Sequence, residues 1–549
     1  MANLRLAAMD LGSNSFHLLV VEAHPDGTFE PIVREKEMLR IGDVVSREGR
    51  VTDSAAVRVI ESIGRLRTLA ESAGATEIVA CATSALREAD NSAQIVDRIE
   101  AETGVRVEVI SGKDEARLIF GAIRASVVIE DPPALCFDLG GGSLEIMVGD
   151  NAGLLWSTSV HLGVARLTAE LVRHDPPDAD DLRRLRRRVT AVLAPLADEV
   201  ADLAPRTLVG TSGTLCDLAR MAAAHRAALA TGREGAVAPA SINQLRVRRR
   251  DLLAMHEKIL ALPTSARQRL PGLEARRADI VPAGSVLLMT AMELFGLDHL
   301  VVGEWALREG IVLDAIGHHE PADFTGDPRA IRLGSVQSLC RRCNADDGHS
   351  PLVARLATDL FDQTLPLHRL RIDDRELLEY GGLLHDIGEH VSVDAHHKHS
   401  AYLIEHGRLR GFSPEEVSML ICLGRFHRRG DPKTSFEPYG GLSSAAQERV
   451  TKLTALLRIA DGLDRGHSGV VDAIDVDLSP DRAQLTVYAA GDADLELWGV
   501  RRKRDLFERV FGRRLEIQLA GARDAGSGGD QAEDEDDAGR GGAAASAGR

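Results

Sequence analysis

Two short segments of the chain carry the same pattern of reactive residues. Asp10-Leu11-Gly12-Ser13-Asn14-Ser15 and Asp138-Leu139-Gly140-Gly141-Gly142-Ser143 both read Asp-Leu-Gly-x-x-Ser. An Asp that ends an apolar run and is followed by Gly and Ser suits a divalent cation and a phosphate. The carboxylate is a hard oxygen ligand, and the turn's N–H and hydroxyl groups can hold phosphate oxygens. One such turn is commonplace, but two matching copies can grip one metal–phosphate from both sides. That reading outweighs the plainer one, in which Asp10 and Asp138 only close hairpins. A third segment, Gly210-Thr211-Ser212-Gly213-Thr214, precedes a helical stretch, where glycines allow close approach and helix-start N–H groups attract anions. In a fourth, Ser111-Gly112-Lys113-Asp114-Glu115, the spacing Ser111-x-x-Asp114 is that of a capping box. Glu115 then has two readings of equal weight. It complements the helix dipole, or, kept ionised near neutral pH by the helix start, it accepts a proton from attacking water.

Further along, His349, the pair His385-Asp386 and Asp461 sit in separate helical stretches, and imidazole with carboxylate suits a divalent transition metal. His396, His397, His399, His406 and His427 lie nearby in sequence. Arg425-Phe426-His427-Arg428-Arg429 is a dense basic run in an acidic chain, read either as a solvated helix end or as a guide for a long anion.

The elements that position these residues follow from periodicity. Residues 4–9 and 16–21 predict strand, tight turn, strand, and residues 135–137 and 144–148 predict the same hairpin again. Helices are predicted over 55–73, with Val57, Ile60, Ile63 and Leu66 on one face, and over 180–203, with a basic face. Short strands at 77–80 and 105–109 separate them, so both halves read as α/β. The texture changes around 317–327, and helical patterns then run to about residue 467. Strands at 473–478, 484–488 and 515–519 follow, around a helix at 500–511. The expected organisation is half I at 1–130, half II at 131–318, an all-α domain at 325–470, a small α/β domain at 471–520, and a Gly-rich acidic tail at 521–549. That tail cannot bury a core and is expected to be disordered.

Composition narrows the function. The chain has 549 residues and a net charge of −17, with 83 acidic residues against 66 basic ones, so sequence-independent binding of nucleic acid is disfavoured. Aromatics make up 3%, too few for a base-stacking surface. Six cysteines make no secreted disulfide framework, and the one CxxC, Cys340 with Cys343, lacks the second pair that tetrahedral zinc needs. With no secretory pattern at the N-terminus and no apolar run of bilayer length, the expectation is a soluble cytoplasmic protein without membrane or nucleic-acid partners.

Five segments in order, AAMDLGSNSFHLLV, ATSALREA, VISGKDEARLIFGAI, FDLGGGSLEI and VGTSGTLCDLA, resemble the motif series of exopolyphosphatases and guanosine pentaphosphate phosphohydrolases. The resemblance covers residues 1–315 most strongly. It implies two actin-like (ribonuclease H-like) halves and a Mg2+-dependent hydrolase. By position, Glu115 falls on the general base, with Asp114 in place of the family's first Glu, while Asp138 and Glu145 fall on residues tied to magnesium and catalysis. With Asp10 these form the implied magnesium set. Asn14, Arg87, residues Gly140, Gly141, Gly142 and Ser143, and the loop Gly210 to Thr214 fall on phosphate-holding positions. The segment around His385-Asp386 is similar to HD-type metal phosphohydrolases, which implies an HD-like domain and a second divalent metal at His349, His385, Asp386 and Asp461. In the phosphatase family that His-Asp is often lost. The implied substrate is inorganic polyphosphate, drawn along Arg425, His427, Arg428 and Arg429, and the implied assembly is a homodimer. The alternatives are guanosine pentaphosphate (pppGpp) hydrolysis in the same cleft, a non-hydrolysing alarmone or nucleotide sensor, and phosphodiester or nucleotide hydrolysis at the HD-like residues.

Overall fold

The computed structural model describes residues 4–24, 27–231, 241–319, 327–345 and 348–521. The acidic tail expected to be disordered therefore lies, from residue 522, outside the described residues, as does most of the texture change before residue 327.

Strands β1 (Leu4–Leu11), β2 (Ser15–Ala23) and β3 (Phe29–Met38) form an antiparallel meander. Strands β4 (Glu77–Ala82) and β5 (Val107–Val109) extend it in parallel, giving the order β3-β2-β1-β4-β5. The second half repeats this plan. The meander is β6 (Ala134–Leu139), β7 (Leu144–Gly149) and β8 (Leu154–Val160); β9 (Thr207–Thr211) lies parallel to β6. A short strand β10 (Arg246–Arg248) then pairs antiparallel with β11 (His299–Val302), which is parallel to β9, so the order is β10-β11-β9-β6-β7-β8. The repeat seen in the sequence is thus a repeat of topology, and the fold is the paired actin-like arrangement. Helices Gly112–Arg124 and Leu307–His319 pack between the two sheets, in a core that draws on both halves through Cys81, Ile119, Val209 and Ile311.

The register explains why the repeat matters. Asp10 pairs with His17 on β2, and Asp138 pairs with Glu145 on β7. On the other flank Asp10 neighbours Cys81 of β4, and Asp138 neighbours Thr211 of β9. The two aspartates therefore occupy equivalent places, each at the end of the central strand of its sheet.

The predicted helix at 55–73 is Asp53–Ser72, but its inner face differs. Val57 is 44% exposed, and Val59 is fully buried beside Ile60, Ile63 and Leu66. The i, i+3, i+4 pattern admits either valine, and packing against the sheet selects Val59. After residue 327, helices including His349–Gln363, Ile372–Leu384, His396–His406, Pro414–Phe426 and Ser444–Gly462 build an all-helical layer. Strands β12 (Val471–Leu478), β13 (Arg482–Ala489) and β14 (Arg514–Ala520) follow, and Val471, Ile474, Leu485 and Leu515 share one core with those helices. The helix expected at 500–511 starts earlier and is divided into Asp494–Lys503 and Asp505–Phe511; Asp492 Oδ1 accepts the Asp494 N–H (2.9 Å) at its start. Among the described residues no helix is long and apolar enough to cross a membrane.

Candidate active site

A cleft of roughly 470 Å³ opens between the two sheets. Each Asp loop is fastened by the helix that follows it. Ser13 and Asn14 carbonyls accept the N–H groups of Gly42, Leu39 and Arg40, and residues 140–142 accept those of Val164, Ala165 and Gly163. The Ser13 hydroxyl faces the cleft, while the Ser143 hydroxyl hydrogen-bonds Glu145. The loops also touch each other. A Cβ on Gly142 would lie 2.6 Å from Ser84 Oγ and 2.8 Å from Ser13 Oγ, and one on Gly141 would lie 3.2 Å from Asn14 Cβ. Only glycine allows this closeness.

Four carboxylates converge on the cleft, from Asp10, Asp138, Glu115 and Glu145. Thr211 Oγ1 donates to Asp138 Oδ1 (2.8 Å), and Ser159 Oγ donates to Glu145 Oε1 (2.8 Å). Glu115 stands in the first turn of helix Gly112–Arg124, where Ser111 Oγ accepts the Asp114 N–H (3.2 Å) and donates to Asp114 Oδ2 (2.6 Å), so Ser111 caps the helix. Its Oε2 accepts from Arg87 Nη1 (3.0 Å), which also donates to the Ile110 carbonyl (2.8 Å).

The sequence reading held that the helix start would keep Glu115 ionised at neutral pH. Burial outweighs it. Burial, opposed by Arg87 and aided by Asp10 and Asp138, raises the Glu115 carboxyl to about 7. Burial likewise lifts Asp10 to about 7, against the nearby Arg308 and with help from Asp138, and lifts Asp138 to about 6, against the Thr211 hydrogen bond. Glu145 is raised well above the carboxylate range by burial and by Glu115 and Asp138. Buried carboxylates that repel one another in this way are relieved by a shared cation, and an all-oxygen set is the kind magnesium takes. The residues present fit that ion.

Basic residues line the same cleft. Arg34 and Lys36 come from β3, Arg277 from a turn before helix Val281–Leu294, and Arg308 from helix Leu307–His319; all four line the cleft. Arg308 Nη1 lies 3.2 Å from His17 Nδ1, and its Nη2 donates to Glu309 Oε1 (3.1 Å). Arg277 is fixed by Asp217 and by Glu274, both at 2.8 Å. Burial, with Arg308, Lys36 and Arg277, holds His17 well below the usual imidazole range, so it is neutral. None of these five was singled out from the sequence. His17 had a signal, since it follows Asp10 by the same seven residues that separate Glu145 from Asp138. The four cations had none.

Of the phosphate-holding positions, Asn14, Gly140, Gly141, Gly142, Ser143, Ser212, Gly213 and Thr214 line the cleft. Gly210 and Thr211 do not. They belong to β9, where Gly210 packs against Leu215 and Leu300 and the Thr211 hydroxyl serves Asp138. Ser212 holds a left-handed φ of 78° at the start of helix Ser212–Thr231, and its Oγ is buried with no hydrogen-bond partner among the described residues. A residue in the left-handed region with an unanswered hydroxyl at a helix start is the kind of turn that can take an anion. Arg87 is placed behind Glu115 and is not among the residues lining the cleft.

In the helical part, His349, His385 and Asp386 come together. Asp461 is ion-paired with Lys503 and is not within that close group, but it lies near enough for its charge to act on His349 and His385. His427 does not belong to the basic run: it is 1% exposed and its Nε2 lies 3.1 Å from Asp386 Oδ1. Helix Pro414–Phe426 ends just before it and turns it inward, while Arg429 faces solvent and Arg428 is half-buried. Arg425 packs its guanidinium 5.8 Å and 5.7 Å from the ring centres of Phe426 and Phe436.

Two actin-like lobes around a cleft lined by carboxylates and basic residues are the arrangement of a phosphoryl-transfer enzyme of the actin-like class. The chain belongs to the Ppx/GppA phosphatase family, whose profile matches residues 20–319; the profile for domain III of Ppx/GppA phosphatases matches residues 331–495. It is 34% identical to exopolyphosphatase 1 of Mycobacterium leprae over 311 residues, which are 56% of this chain and 89% of that protein. It is 27% identical to the guanosine-5'-triphosphate,3'-diphosphate pyrophosphatase of Aeromonas hydrophila over 483 residues, 88% of this chain and 92% of that one. The crystal structure of an exopolyphosphatase from Cytophaga hutchinsonii superposes with a TM-score of 0.52 at 29% identity, covering 57% of this chain and 98% of its own.

Proposed function

We propose that the cleft hydrolyses a terminal phosphoanhydride, releasing orthophosphate from inorganic polyphosphate. The observation that carries this reading is Glu115, a buried carboxyl raised to about 7 and held by Arg87 beside the Asp10–Asp138 pair. A base is most effective when its pKa lies near the working pH. Glu115 takes a proton from water, the water oxygen bonds to the terminal phosphorus, and the anhydride P–O bond breaks with its electron pair on the leaving phosphate. Arg308, Arg277 and Lys36 line the cleft and bind the phosphate oxygens, with the Ser212 turn and residues 140–143. Asp10, Asp138 and Glu145 would hold Mg2+, which when bound supplies neutralisation of charge on the transferred group. Arg87 acts on Glu115 and orients it. The sensor reading is set aside, since a pure binder has no use for a base so placed.

The second reading is 5′-hydrolysis of guanosine pentaphosphate in the same cleft. It is favoured by the relative that aligns with 88% of this chain, which is named as a pyrophosphatase of that nucleotide. For a long polyphosphate, the side chains of Arg425, Arg428 and Arg429 extend the contact beyond the cleft. Replacing Arg428 and Arg429 with Ala should raise KM for long chains several-fold more than for short ones, an effect that shrinks as salt screens it, to about a 10 Å range at 0.1 M. Equal losses on both lengths reject the channel. The working unit in this reading is a cytoplasmic homodimer, which light scattering on the purified chain checks.

The deciding experiment is one panel. The purified chain with magnesium is given long and short polyphosphate, guanosine pentaphosphate, ATP and a cyclic dinucleotide. Phosphate release from polyphosphate or the pentaphosphate supports the cleft, and turnover of the cyclic dinucleotide alone moves the chemistry to the helical domain. Comparable kcat/KM for polyphosphate and pentaphosphate makes the division between the two readings artificial.

A further inference from the structure

Helix Ser84–Glu88 follows β4 just after Thr83, which lines the cleft, and its last two residues serve different halves of the molecule. Adjacent residues on a helix point roughly 100° apart. Arg87 turns back into the first half, where it holds Glu115 and the Ile110 carbonyl. Glu88 turns to the second half. Its Oε2 accepts from Arg166 Nη2, on helix Val164–Leu171, and its Oε1 accepts from Ser84 Oγ (2.6 Å). Arg166 reaches the second Asp loop twice: its Nε donates to the Gly142 carbonyl (3.1 Å) and its backbone N–H to the Gly141 carbonyl (3.2 Å). Glu115, Arg87, Glu88, Arg166 and Gly142 thus form an unbroken line from one lobe to the loop of the other.

Loop 140–143 has little means of holding itself. Gly140, Gly141 and Gly142 leave only Ser143 with a side chain, and glycine backbone is the least constrained of all. Neighbours press on the loop from two sides. A Cβ on Gly142 would lie 2.6 Å from Ser84 Oγ, and one on Gly163 would lie 2.3 Å from the Gly141 carbonyl oxygen. Elsewhere it has room. A second cavity, of roughly 310 Å³, is lined by Ser13, Gly141, Gly142, Glu88 and Arg166, and the first three of these also line the cleft. The loop therefore borders two cavities, and packing alone leaves it free to shift. The Glu88–Arg166 pair opposes that shift. Its side chains are mostly out of water, 24% and 19% exposed, and charged hydrogen bonds are short and directional. Burial would raise the Glu88 carboxyl, but Ser84, Arg166 and the nearby His161 hold it below the usual carboxylate range, so the pair is ionised.

We propose that Glu88 and Arg166 are a clasp between the lobes that positions loop 140–143, and with it the terminal phosphate, against Glu115. Neither side chain lines the cleft, so both are positioning residues that act through the loop. The clasp rests on the hydrolysis proposed above. A misplacement of about 1 Å between a base and the reacting atom costs about 100-fold in rate. Arg308, Arg277 and Lys36, which attract the phosphate, are held by other partners, namely His17, Asp217 and Glu274. Loss of the clasp therefore lowers kcat and leaves KM nearly unchanged. An ion pair that only joined the lobes would lower stability and leave the kcat of the folded protein as it was.

The test is a double-mutant cycle on the whole chain with magnesium: Glu88→Ala, Arg166→Ala and the two together, on whichever substrate the wild type hydrolyses. Each single variant should lose about 10–100-fold in kcat with KM within about threefold, and the double variant should lose no more than the worse single one. Arg166→Lys, with one nitrogen where the clasp uses two, should fall between the wild type and Arg166→Ala. A kcat within about twofold of wild type in folded variants, additive losses, or a rise in KM alone overturns the clasp. Circular dichroism establishes folding, and Glu88→Gln or Arg166→Gln replaces any variant that is not folded. Unfolding of all of them also overturns it, since a positioning pair does not carry the fold. Hydrogen–deuterium exchange of the peptide spanning residues 139–145 reads the loop without turnover. There the Gly140 N–H is bonded to the Ser143 carbonyl (3.1 Å), and exchange should quicken by about tenfold in Arg166→Ala. Unchanged exchange overturns the clasp, whereas a wild type that releases no phosphate overturns the hydrolase reading and leaves the clasp to be decided by exchange.

Discussion

The interlobe cleft and the histidine cluster both gather carboxylates and nitrogen groups out of water, yet they are built from opposite materials. The cleft gathers the carboxylates of Asp10, Glu115, Asp138 and Glu145 with a single imidazole, that of His17, has a volume near 470 Å³, and is lined also by arginine and lysine. The cluster offers the imidazoles of His349, His385, His396 and His427 around the carboxylate of Asp386, and His349 and His385 are sealed from solvent. Hard oxygen donors beside free volume suit a labile magnesium that travels with a phosphate; nitrogen donors in a closed shell suit a resident transition metal. Closed sites hold and open sites react. Burial alone therefore does not mark an active site; room for substrate beside the buried charge does.

Chelation separates the two regions most sharply. Stripping divalent ions with EDTA should abolish phosphate release, and magnesium alone should restore it. Restoration by Zn2+ but not by magnesium, followed in a phosphate-release assay, would assign catalysis to the wrong donor set.

The next effect lies with the basic residues of the cleft. Arg308 stands beside Asp10 and His17. Loss of a charged hydrogen bond is typically worth about 1.5–3 kcal/mol, so Arg308→Ala should lower kcat/KM by about 10–100-fold. An unchanged kcat/KM removes Arg308 from the substrate's path.

The smallest expected effect is on the cleft from the far site. Sites without shared partners act additively, so His385→Ala should leave phosphate release within about twofold of wild type while transition-metal content falls. A collapse of phosphate release in a folded His385→Ala protein would mean that the two regions form one machine.

The residues that could be read from sequence share a physical reason. Asp10, Asp138 and Glu145 sit on hairpins whose strand, turn and register are local, so the repeated Asp-Leu-Gly-x-x-Ser fixes their relative places. Glu115 was legible as a helix start, because Ser111 caps the helix within four residues. What escaped depends on tertiary packing. Arg34 with Lys36, Arg277 and Arg308 reach the cleft from three distant segments of the chain, and no local pattern marks them. His427 was read with its charged neighbours Arg425, Arg428 and Arg429, but a helix end turns neighbouring residues to different sides. Val57 and Val59 were indistinguishable by period, and only the sheet beneath the helix decides between them.

The central claim is that the chemistry of the cleft runs through Glu115. Glu115→Gln keeps the size of the side chain and its contact with Arg87 but cannot accept a proton. Measured as kcat for phosphate release from whichever substrate the panel identifies, it should fall by about 10²–10⁴-fold, with substrate binding much less affected. A kcat near that of the wild type would contradict the account and reduce Glu115 to a residue that only completes the start of its helix.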